Sequence, residues 1–107
     1  MNIEFNTKKL KKRCSERAKA IKAYGEHYAK FLFTRLTQLE AADKLKDFRF
    51  DDPHPLTGDR MGEFAITIHD KFRIVFEARE PIPKAKDGST NWKSVTRIKV
   101  TEIGDYH

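Results

Sequence analysis

The sequence uses cysteine once, at Cys14. No internal disulfide can form, which fits a reducing cytoplasm, the expected location. Nowhere is there an apolar run approaching the roughly 18–20 residues of a bilayer-spanning helix, so no membrane role is expected. Met1 to Phe5 lack the basic start and apolar stretch of an export signal. Internal repeats and low-complexity stretches are missing too. The histidines His27, His54, His69 and His107 share no ligand-type spacing, and no cysteine pair accompanies them, so no metal site is expected. At 107 residues the chain is too short for a two-domain enzyme of the dinucleotide type and reads as a single domain over 1–107.

What is present is charge and aromatic carbon. Eight phenylalanines and 38% hydrophobic residues supply a modest core and argue against wholesale disorder. Lys and Arg number 22 against 16 Asp and Glu, a net charge of +6 that suits a polyanionic partner such as nucleic acid. The distribution is uneven. Residues 1–24 carry eight basic and two acidic groups, while residues 51–80 carry four basic and seven acidic. The N-terminal run, which includes Lys8, Lys9 and Lys12, is either a solvated helix face or a flank that docks on a phosphate backbone.

The hydrophobic pattern gives the order of elements. Asn2 to Phe5 reads as a short strand, and Thr7 is placed to N-cap a helix beginning just after it. Leu10, Cys14, Ala18 and Ile21 recur at helical spacing, Gly25 interrupts, and Tyr28, Phe31, Leu32, Leu36, Leu39 and Ala42 form a second stripe. The reading is two helices, over 8–23 and 26–42, paired as a hairpin; one long kinked helix is the alternative. After the Pro- and Gly-bearing segment 51–59 the period changes to two. Phe64, Ile66 and Ile68 alternate with polar or small residues, then Phe72, Ile74 and Phe76 come after a turn at His69-Asp70-Lys71. A loop at 79–93 precedes a last strand over about 94–103 with Ile98 and Val100 on one face. This predicts an α+β fold, β-α-α-β-β-β, with two N-terminal helices packed on one face of an antiparallel sheet. Strand parity places Arg73, Arg97 and Lys99 on the opposite, uncovered face, and continues that row through Thr101, Ile103 and Asp105 if the strand stays regular.

The residues able to carry chemistry are His54, Arg60, Lys71, Arg73, Asp105, Tyr106 and His107. Proton transfer near neutral pH uses groups such as His, Asp and Tyr, and guanidinium groups stabilise charge building on a phosphoryl centre. RNA carries its own nucleophile, the 2′-hydroxyl, so a metal-free set of this kind suffices to cut it. The bland alternatives are a loop histidine at 54, an Arg73 paired with Glu63 or Glu77, and an unstructured chain end. Trp92 is either core or a base-stacking ring.

These residues also carry a resemblance. The segment His54-Pro55-Leu56-Thr57-Gly58-Asp59-Arg60-Met61-Gly62-Glu63-Phe64-Ala65-Ile66 resembles the H-P-L-x-G-D-R-x-G motif of HigB-type toxins, of the RelE/ParE toxin–antitoxin superfamily. Phe72-Arg73-Ile74-Val75-Phe76 is similar to the family's next strand, and Glu102-Ile103-Gly104-Asp105-Tyr106-His107 to its terminal acidic-x-x-Asp-Tyr-His. The resemblance implies a RelE-like fold and a ribosome-dependent mRNA endonuclease without a cofactor. It implies a HigA-like helix-turn-helix antitoxin as partner, with DNA met only through that antitoxin. It also implies the catalytic set His54, Arg73, Asp105, Tyr106 and His107. His54 and His107 would be acid and base, Arg73 the phosphate ligand, Asp105 an orienting group and Tyr106 a base-stacking one. The RNA-binding set is then Arg60, Lys71, Arg97, Lys99, Lys8, Lys9 and Lys12. Thr57 stands where some members have a Lys, a lost cation that Lys71 or Arg60 would replace. Two other readings stay open: a ParE-like toxin that acts on DNA gyrase and cuts nothing, and an inactive relative that only binds its antitoxin.

Overall fold

The Thr7 hydroxyl accepts from the amide of Leu10 at 3.1 Å and opens the first helix, α1, over Lys8–Ser15, as predicted. The structure, a computed structural model, describes residues 1–48, 54, 55 and 62–105, with His54, Pro55 and Asp105 described by their backbone alone. The predicted helix over 8–23 is two. Glu16 adopts an extended conformation, φ −116° and ψ 114°, and α2 runs Arg17–Tyr24. Just before the break, the Ser15 hydroxyl donates to the carbonyl of Lys11 at 2.7 Å, the local bond by which serine competes with a helical ladder. The break rotates the buried face. Cys14 and Ala20 are buried and Ala18 is exposed, where an unbroken helix would bury Ala18.

Gly25 separates α2 from α3 (Glu26–Ala41) with φ +90° and ψ 158°, a conformation open to glycine and strained for residues with a Cβ. Helix α3 buries Leu32, Leu36 and Leu39 of the predicted stripe, together with Ala29, while Tyr28 and Phe31 are partly buried against the core. The amino group of Met1 donates to the carbonyls of Glu40, at 2.9 Å, and Ala42, at 2.6 Å, tying the start of the chain to the end of α3.

Five strands make the described sheet: β1 (Asn2–Phe5), β2 (His54–Pro55), β3 (Glu63–His69), β4 (Phe72–Ala78) and β5 (Arg97–Asp105), in spatial order β1-β5-β4-β3-β2. The β1–β5 pair is parallel and the others are antiparallel, so the sheet is mixed at one edge. The parallel pair joins the first and last strands, with the helices and the other three strands between them, the long connection that a parallel pair needs. Phe64, Ile66 and Ile68, Phe72, Ile74 and Phe76, and Ile98 and Val100 are buried facing the helices. Each such side chain contributes about 2 kcal/mol of burial free energy.

The β3–β4 turn falls at Asp70 and Lys71, as predicted, with Asp70 at φ +53°, a region that Asp tolerates. Segment 79–93 is an ordered excursion. The amide of Asn91 donates to the carbonyl of Pro83 at 2.8 Å, and a bridge joins Lys84 to Thr90. A 3-10 turn at Trp92–Ser94 then sets the Trp92 ring 4.9 Å from that of Phe64. Trp92 thus belongs to the edge of the core.

Candidate active site and nucleic-acid interface

The sheet face turned away from the helices carries the candidate residues, and the register shows how. Arg73 sits in β4, directly between Thr67 on β3 and Gly104 on β5. One row along, Ala65, Val75 and Glu102 align, and on the far side of Ala65 stands His54 in the two-residue strand β2. The backbones of His54 and Arg73 are therefore two strand spacings and two residues apart, roughly 12 Å.

Strand β5 does not stay regular. Its pairing shifts between Val75, opposite Glu102, and Phe76, opposite Val100, leaving Thr101 as the extra residue of a β-bulge. The Thr101 hydroxyl donates to a Glu63 carboxylate oxygen at 2.7 Å and lies 3.3 Å from the Val75 carbonyl, which holds it on the outer face. Beyond the bulge the alternation is reversed. Glu102 and Gly104 join the rows of Val75 and Arg73, whereas Ile103 packs against the core and position 105 stands opposite Phe72. The regular-strand parity for Ile103 and Asp105 is thereby overturned, because one inserted residue moves everything after it to the other face. Glu102 is the residue that sequence parity missed on this face; a bulge leaves no signal in a period-two pattern.

Nor is this face bare or wholly cationic. Ala65 and Val75 have no exposed surface, since Glu63, Arg73 and Glu77, all long, stand around them in the register. Lys99 lies 3.3 Å from the Glu77 carboxylate, Arg79 donates to Glu4 at 2.9 Å, and Arg97 donates to the carbonyl of Glu80 at 3.1 Å. Arg97 and Lys99 thus share the face with Arg73 but sit toward its other end, each with a partner. Lys71, in the β3–β4 turn, is exposed beside the Phe72–Asp105 pair that ends the sheet. Arg60, Tyr106 and His107 lie outside the described residues, as does Thr57.

Lys8, Lys9 and Lys12 are exposed on α1. Neither α1 nor α2 has an acidic residue in its first turn, where Lys8, Lys9, Arg17 and Lys19 stand instead. Cations at a helix N-terminus oppose the helix dipole, so this placement costs stability when no anion is near.

Other titratable groups are structural. Burial pushes the Cys14 thiol from 9.0 up to about 12 and also raises the Tyr24 hydroxyl. The His69 ring stacks on Phe31 at 4.5 Å and meets the edge of His27 at 4.9 Å, an aromatic cluster at the end of the core. Among the described residues no group of three His, Cys, Asp or Glu side chains is placed to hold a metal ion, and no helix is long and apolar enough to cross a membrane.

No protein-family model matches the chain, and no curated protein matches it significantly in sequence. The fold is nevertheless shared with solved bacterial proteins. A YoeB–YefM complex from Staphylococcus aureus matches with a TM-score of 0.59 at 16% identity, over 100% of this chain and 97% of that one. The S. aureus YoeB dimer gives the same values. A YoeB/ParE toxin from Agrobacterium tumefaciens matches with a TM-score of 0.55 at 14% identity over the whole of both chains. The chain therefore has the α+β fold of the YoeB toxins.

Proposed function

We propose that this protein is the toxin of a type II toxin–antitoxin pair, HigB-like within the RelE/ParE superfamily, and that it cuts mRNA on the ribosome. The observation that carries the reading is the placement of Arg73. It stands at the start of β4 between Thr67 and Gly104, with the strand bearing His54 on one side and the end of β5, leading to Tyr106 and His107, on the other. The shared YoeB fold and the three sequence motifs support it.

The chemistry follows from those groups. A base, His54 or His107, takes the proton of the RNA 2′-hydroxyl. The oxygen attacks the adjacent phosphorus, the bond to the 5′-oxygen breaks, and the other histidine returns a proton to that leaving oxygen. The products are a 2′,3′-cyclic phosphate and a 5′-hydroxyl. Arg73 stabilises the charge that builds on the non-bridging oxygens, Asp105 orients a neighbouring group, and Tyr106 stacks on a base. No cofactor takes part. Lys8, Lys9, Lys12, Arg60, Lys71, Arg97 and Lys99 hold RNA, largely of the ribosome, by its phosphates.

The proposed partner is a HigA-like helix-turn-helix antitoxin, through which the pair meets operator DNA, and the site of action is the cytoplasm. The S. aureus match is itself a complex of YoeB with YefM, which supports a protein partner. Mapping RNA 5′ ends after induction tests the reading. Cuts at fixed codon positions on translated messages are expected. Growth arrest without cuts, together with loss of DNA supercoiling, would instead assign a ParE-like action on gyrase. Neither effect would mark a protein that only binds its antitoxin.

A further inference from the structure

The two short helices α1 and α2 turn on one another at Glu16 and leave a cleft of about 370 Å³ between them. Lys9, Lys12, Arg13, Lys19 and Lys22 line it, with Ala23 as the neutral remainder. No carboxylate lines this cleft. Among the described residues none of its four lysines has an acidic partner, whereas Lys99 and Arg79 on the sheet do. The Arg13 guanidinium lies 5.6 Å from the centre of the Tyr24 ring, which anchors it at the cleft wall. Lys9 and Lys19 occupy first turns of their helices, where the backbone amides add partial positive charge. Five cations around so small a space repel one another, and a multivalent anion relieves that repulsion.

We propose that the α1–α2 cleft binds a condensed phosphate chain, three or more phosphates joined through shared oxygens. Each helix has eight residues and is about 12 Å long, so the cleft is short. Phosphates in a nucleic-acid backbone are spaced by a ribose, and few fit between helices of that length. Directly linked phosphates bring several negative charges into the same span and match the density of the cations. Lysine ammonium groups, as mobile point charges, suit oxygens that have no fixed planar arrangement. Two sources supply this chemistry: free polyphosphate and the phosphate tail of a nucleotide.

The site shares Lys9 and Lys12 with the proposed RNA-docking run but does not rest on the nuclease reading, and its test uses neither ribosome nor message. Tripolyphosphate is titrated calorimetrically into the full chain at physiological ionic strength, with adenosine triphosphate and a single-stranded RNA oligonucleotide as parallel ligands. Tripolyphosphate is expected to saturate at one per chain. The double variant Lys12→Ala, Lys19→Ala should weaken it about a hundredfold, roughly tenfold for each charge-assisted contact. The double variant Lys86→Ala, Lys93→Ala, at exposed lysines elsewhere, should leave it unchanged. Equal affinity for adenosine triphosphate points to the phosphate chain alone, and tighter binding adds a nucleoside contact; either result upholds the site. Absent or unsaturable binding, or equal loss in both double variants, would overturn it. So would an oligonucleotide that binds more tightly than tripolyphosphate and loses affinity in the Lys12, Lys19 variant.

Discussion

Thr101 on β5 donates a 2.7 Å hydrogen bond to Glu63 on β3, reaching across the intervening strand β4. This bond fixes the bulge, and the bulge decides which residues of the chain end share a face with Arg73. Removing the hydroxyl in Thr101→Val leaves a half-buried carboxylate without that donor. A loss of about 1–2 kcal/mol is expected, read as a lower midpoint in denaturant with an unchanged slope. RNA cleavage should fall further than stability alone explains, because residues after the bulge shift together. Cleavage that tracks only the folded fraction would show that the bulge has no part in the site.

The catalytic assignment predicts separable loss. His54→Ala, Arg73→Ala and His107→Ala should each lower ribosome-dependent cleavage by about a hundredfold or more. Their circular dichroism and melting temperatures should stay close to those of the parent. A variant that still arrests growth at full strength removes its residue from the set.

Docking by phosphate contacts predicts a steep dependence on salt. The logarithm of ribosome affinity should fall linearly with the logarithm of salt concentration, and each of Lys8→Ala, Lys9→Ala and Lys12→Ala should reduce the slope by about 1. A slope insensitive to these substitutions would return the basic run to the role of a solvated face.

Burial of Cys14 gives a prediction in pH. Its thiol is raised from 9.0 to about 12, so the folded chain keeps a proton there that the unfolded chain releases. The stabilising effect is present below pH 9.0 and is lost as pH rises toward 12. Tyr24, also raised by burial, acts in the same direction. Stability should therefore decline through the alkaline range, and less so in Cys14→Ala. Thiol reagents should label Cys14 slowly at neutral pH and rapidly after denaturation, because the thiolate is the reactive form.

Much of the architecture was legible residue by residue. Thr7 announced a helix start by its hydroxyl, Gly25 a helix boundary by its freedom at positive φ, and the Phe64, Phe72 and Ile98 rows a sheet half-buried against helices. The break at Glu16 was not legible, since Leu10, Cys14, Ala18 and Ile21 fit one continuous helix; it surfaces only when Ala20 rather than Ala18 packs inward. Trp92 was ambiguous in its polar segment until the 3-10 turn delivered it to Phe64. Of the candidate site, the sequence picked out His54 and Arg73 by residue type and motif, while their relation depended on pairing between strands distant in the chain.

By itself, then, the sequence determined the buried rows and most of the elements, though neither the break at Glu16 nor the short strand at His54–Pro55, because period and capping are local properties of neighbouring residues. Tertiary structure alone decided the parallel edge between β1 and β5, the all-cation cleft between α1 and α2, and the face on which the chain end lies. These depend on where separate segments meet, and a single inserted residue at Thr101 is enough to place Glu102 and Gly104, rather than Ile103, in the rows of Val75 and Arg73.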